Sequence, residues 1–112
     1  MKTKLFIAAA MIILALPAAA DFKTVELAYE VALSDIRLPH NETGTIAFKE
    51  CEKCDYRTKR VTASTRYQVD GHTVTLKKFR EAVEQVSDRD SKAVTVLHHL
   101  EDNRVTAVSV YL

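Results

Sequence analysis

The sequence predicts an α+β domain: a largely antiparallel sheet in β-β-β-α-β-β order with one amphipathic helix packed on a face. Three observations predict it. Apolar and polar residues alternate over residues 25–33 and 61–69, the period of a half-buried strand. Leu76, Phe79, Val83 and Val86 recur at helical spacing and form one apolar stripe. Two β-rich runs, Ala93–Leu100 and Val105–Tyr111, flank the polar stretch Glu101-Asp102-Asn103-Arg104, which reads as a hairpin.

The chain opens Met1-Lys2-Thr3-Lys4, continues with the apolar run Leu5–Leu16, breaks at Pro17 and reaches Ala18-Ala19-Ala20 before Asp21. Charged, apolar and small residues in that order are the pattern of a secretory signal peptide, with cleavage expected between Ala20 and Asp21. The apolar run is well short of the ~20 residues that a spanning helix needs. Residues 1–20 are therefore read as a signal peptide and residues 21–112 as a single small α+β domain, too short for two cores. The mature protein is expected to be periplasmic or secreted and not membrane-spanning. Lys2 and Lys4 leave with the leader, which takes the formal charge from +1 to −1. That balance gives no general attraction to nucleic acid.

The first strand is expected from Val25, with Val25, Leu27, Tyr29, Val31 and Leu33 on one face and Glu26 and Glu30 on the other. Ile36 and Leu38 fall out of this phase, so a bulge or break belongs near Asp35. Pro39 to Gly44 is turn chemistry. Within it Asn41-Glu42-Thr43 matches a glycosylation acceptor, which matters only in a eukaryotic host. Thr45–Lys49 is the second strand. The third has Val61, Ala63, Thr65, Tyr67 and Val69 on its inner face, and Asp70-Gly71 is a tight-turn signal after it. Thr75 is a helix cap for Leu76 to about Val86.

Cys51-Glu52-Lys53-Cys54 holds the only two cysteines and supports three readings. In an oxidising compartment a pair of thiols is a disulfide by default. Here the bridge Cys51–Cys54 would pin the connection between the second and third strands. Its small ring removes little chain entropy, about 2 kcal/mol by loop closure. The second reading is a redox pair, since C-x-x-C is the thioredoxin-type spacing. Those enzymes place the first thiol at a helix N-terminus, and the residues after Cys54 lack helical periodicity. The third is half a metal site completed by His40, His72, His98 or His99, although the second knuckle of a zinc ribbon is missing.

The remaining candidates are few. One of His98 and His99 should face the core and the other solvent, because neighbours on a strand point to opposite faces. Arg57, Lys59, Arg60 and Arg66 with Tyr56 make a local basic patch. Only Gly44 and Gly71 occur, which excludes the familiar Gly-rich phosphate loops, and no nucleophile elbow or H-E-x-x-H is present. The sequence thus predicts no catalytic residue, no bound metal and no cofactor. The function expected is a non-catalytic binding or accessory domain with a local CxxC disulfide and an envelope protein as partner. A periplasmic thiol-disulfide protein is the alternative, and a metal-binding module is third.

Overall fold

The computed structural model describes Val25 to Leu112; the leader and cleavage site expected at residues 1–20 lie outside the described residues. Strand accounts for 49% and helix for 17% of what is described, so the α+β class expected from the sequence is corrected to a mostly β domain with one α-helix. The elements run β1 (Glu26–Ala32), β2 (Ile36–Arg37), β3 (Thr45–Phe48), β4 (Arg57–Val69), β5 (His72–Val74), α1 (Leu76–Glu84), β6 (Ala93–His99) and β7 (Arg104–Val110).

The expected largely antiparallel sheet is corrected to a curled, mixed half-barrel. Strand order is β1-β6-β7-β4-β3-β2, with β5 paired to β4 on the side. The long strand β4 decides the architecture. Its first residues pair antiparallel with β3, Arg57 opposite Phe48 and Arg60 opposite Thr45. Its later residues pair parallel with β7, Arg66 opposite Ala107 and Val69 opposite Val110. A crossover through β5, α1 and β6 brings β7 alongside in the same direction, as parallel neighbours require.

The curl follows from connectivity. Strands β1 and β2 stand at the two ends of the strand order, yet only the 3-10 turn Leu33–Asp35 separates them in the chain. A flat sheet of this order would hold its two ends several strand spacings of ~4.8 Å apart, too far for a three-residue link. The sheet therefore bends until its ends approach. Tyr29 of β1 consequently meets Phe48 of β3 with ring centroids 5.1 Å apart.

The concave side holds the core, which includes Val31, Leu33, Ile46, Phe48, Val61, Val94, Val96, Val105 and Val108. Helix α1 covers it with Leu76, Phe79 and Val83, three of the four residues of the expected stripe; the fourth, Val86, packs on the core from beyond the helix end at Glu84. Thr75 caps the helix by accepting from the Lys78 N–H at 3.2 Å, and Phe79 packs on Tyr67 at 5.5 Å between centroids. At its far end Arg89 donates to the Val83 carbonyl at 2.8 Å and to the Leu33 carbonyl at 3.5 Å. One side chain thus ties the helix C-terminus to the turn that closes the curl.

Two local departures matter. Thr62–Thr65 bulges from β4: the Thr62 N–H donates to Thr65 Oγ1 at 3.0 Å, and Thr65 Oγ1–H donates to the Val105 carbonyl at 2.6 Å. The bulge turns Ala63 outward while Val61, Thr65 and Tyr67 stay buried, so the simple alternation expected there breaks at one residue. Asp70 and Gly71 both take positive φ, 52° and 85°, and join β4 to the short strand β5.

Candidate functional site

The connection between Phe48 and Arg57 carries the cysteines. Its centre is a four-residue turn in which the Cys54 N–H donates to the Cys51 carbonyl at 3.1 Å. The Cα atoms of Cys51 and Cys54 are 5.0 Å apart and the two sulfurs form a disulfide. Both residues are exposed. The bridge closes a strand–turn–strand connection, as the first of the three readings expected.

The surroundings extend beyond the residues that the sequence pattern singles out. Lys49, at the end of β3, is anchored by its N–H on the Asp35 carbonyl at 3.1 Å. Its Nζ donates to the Glu52 carbonyl inside the turn, also at 3.1 Å. Beyond the turn Tyr56 is 40% exposed, with the Arg37 guanidinium 4.2 Å from its ring centroid and Lys49 Nζ at 5.5 Å. Arg37 comes from β2, which pairs with β3 so that Arg37 lies opposite Ala47. Two separate segments therefore converge on one tyrosine. Neither Arg37 nor Lys49 forms an ion pair among the described residues.

The basic patch expected from Arg57, Lys59, Arg60 and Arg66 is dispersed by the strand. Arg57 pairs with Glu50 at 3.4 Å and lies 5.8 Å over the Tyr29 ring. Arg60 donates to the Asp102 carbonyl at 3.0 Å in the β6–β7 hairpin. Arg66 belongs to a shallow polar groove on the convex face with Glu26, Ser64, Leu97, Arg104 and Thr106. Within it Thr106 Oγ1–H donates to Glu26 at 2.7 Å, so the groove is in part internally satisfied. Arg37 and Lys49 take the place of these residues beside Tyr56. No local signal in the sequence announces them, because the contact depends on the β2–β3 pairing.

The histidines do not converge on the cysteines. His40 lies in the Pro39–Gly44 loop, beside a groove of about 500 Å³ between that loop and α1 that Glu42, Leu76, Arg80 and Glu84 also line. His72 is exposed in β5. His98 is buried and His99 half-buried, the division that strand geometry predicts. The Nε2–H of His98 donates to Asn103 Oδ1 at 2.9 Å, which ties the hairpin turn to the core, while its Nδ1 is buried without a partner among the described residues. With both sulfurs in the bridge, neither cysteine is a thiolate ligand. Among the described residues no group of three or more His, Cys, Asp or Glu is placed to hold a metal ion.

Comparison with protein-family models, curated proteins and solved structures returns no match. The reading of the site rests on its own geometry.

Proposed function

We propose that the protein is a small exported, periplasmic domain that binds rather than catalyses. Its recognition surface is the disulfide-clamped corner between β3 and β4, and its partner is an acidic segment of an envelope protein. The observation that carries this reading is the convergence of Arg37 and Lys49 on the exposed ring of Tyr56. Two cations without carboxylate partners among the described residues, beside an aromatic face, form a surface suited to an anionic side chain with an apolar stem. The clamp supports the same reading, since a turn held in one shape loses less entropy on binding. The Ala20–Asp21 processing pattern and the disulfide both favour export to an oxidising compartment.

The test is site-specific photo-crosslinking in the cell envelope, with a benzoyl-phenylalanine in place of Tyr56. An adduct with one envelope protein, lost when Arg37→Glu and Lys49→Glu are combined, is the expected result. No adduct, or an adduct indifferent to the charge reversal, contradicts it.

The exposure of both cysteines favours one alternative, a thiol-disulfide exchange protein. Against it, Cys51 sits in a turn between strands and lacks the helix N-terminus that stabilises a reactive thiolate. Catalysis of disulfide exchange on a model substrate by the purified protein would decide for the alternative.

A further inference from the structure

Strand β1 ends the sheet, and its hydrogen-bonding parity can be read from its two flanks. The Leu100 N–H donates to the Val25 carbonyl at 2.8 Å, and the Leu33 N–H donates to the Lys92 carbonyl at 2.8 Å. Both contacts lie in the register that sets Leu27 opposite His98 and Tyr29 opposite Val96. Odd residues of β1 therefore turn their backbone groups toward β6. The even residues Glu26, Ala28, Glu30 and Ala32 turn theirs to the open edge, because antiparallel pairs alternate in this way. Glu26, Leu27, Ala28 and Glu30 are exposed, and this edge has no strand partner among the described residues. An open edge with a row of unpaired donors and acceptors is a template for another strand.

We propose that this edge pairs with the same edge of a second copy, antiparallel, about a two-fold axis through Tyr29. The sequence of β1 selects that occupant and that register. Centring on Tyr29 places Ala28 opposite the second copy's Glu30, and Glu26 opposite its Ala32. All four outward-turned residues then meet outward-turned residues, and no glutamate faces a glutamate. A shift of one rung either way sets Glu26 against Glu30 or Glu30 against Glu30, and like charges directly opposite destabilise a sheet. On the concave face the same register lays Leu27 against Val31 of the second copy. Leu27 is 38% exposed in the single chain, and this pairing covers it. The two half-barrels then share one continuous sheet.

Residue 28 tests the proposal without touching the core, since Ala28 is exposed and its N–H turns to the open edge. Sedimentation equilibrium of the purified protein is expected to show a mass that rises with concentration from one chain toward two. Ala28→Glu would set like charges face to face at two symmetric rungs and weaken dimerisation on the order of tenfold. Ala28→Lys would set opposite charges there and strengthen it by a similar factor. Ala28→Pro removes an outward N–H and should leave a folded monomer, judged by unchanged circular dichroism. A chain that stays monomeric to millimolar concentration overturns the proposal. So does a dimer whose dissociation constant is the same with Glu, Ala or Lys at position 28.

Discussion

Tyr29 and Phe48 touch across the mouth of the half-barrel, 5.1 Å between ring centroids, although β6, β7 and β4 stand between their strands in the sheet. Phe48 is fully buried and Tyr29 packs on the edge of the core. This contact, with the Leu33–Asp35 turn, closes the curl. A double-mutant cycle with Tyr29→Leu and Phe48→Leu should give a coupling of about 1 kcal/mol, the usual excess for an aromatic pair. Additive effects in urea unfolding would place the two strands apart.

Arg89 is predicted to be worth more than a surface arginine. Its guanidinium reaches both the last turn of α1 and the Leu33 carbonyl in the turn between β1 and β2. Arg89→Ala should cost about 1.5–3 kcal/mol, the range for hydrogen bonds from a charged donor. Arg89→Lys should recover little, because one ammonium lacks the planar fork that spans two carbonyls. Thermal unfolding of both variants checks this, and full rescue by lysine would count against the bridging role.

Tyr67 carries a prediction in the alkaline range. Its hydroxyl is buried without a hydrogen-bond partner among the described residues. Burial, with a smaller contribution from the Glu42 charge, pushes its pKa up from 10.0 to about 12. The folded chain thus keeps a proton that the unfolded chain releases above pH 10. Stability from this group is complete below pH 10 and falls through the window from pH 10 to about 12, at roughly 1.4 kcal/mol per pH unit. Tyr67→Phe removes that loss and, since no bond is broken, leaves stability at neutral pH unchanged or higher. Urea titrations of both proteins at pH 9 and pH 11 test it: a Phe variant as alkali-sensitive as the parent contradicts the assignment.

The disulfide should matter to one corner more than to the whole fold. Replacing Cys51 and Cys54 together by alanine is expected to lower stability by no more than about 2 kcal/mol, since the ring is short. Hydrogen exchange should accelerate at the amide of position 54, which closes the turn, and leave the β6–β7 amides unchanged. Collapse of the whole domain would mean that the bridge does more than clamp a turn.

Legibility in the sequence tracked the range of the interactions. The helix was readable because Thr75, Leu76, Phe79 and Val83 act within a few turns of one another. Asp70-Gly71 and the Glu101–Arg104 turn were readable for the same local reason. The parallel pairing of β4 with β7 was not, because it leaves no turn signal between the two strands. The start of β4 was also missed: Arg57 to Arg60 are polar, and only pairing with β3 holds them extended. Strands β2 and β5 are too short to show a period. The cysteine pair stood out as a motif, whereas Arg37 beside Tyr56 is a product of the β2–β3 ladder and has no spacing of its own.

The central claim is an exported module clamped by a structural bridge between Cys51 and Cys54, and intact-mass spectrometry of the protein from fractionated host cells tests it most directly. The account predicts a chain in the periplasmic fraction that begins at Asp21 and is lighter than its reduced form by the two hydrogens of one disulfide. A chain that begins at Met1 in the cytosolic fraction, with both thiols free to alkylate, would contradict it.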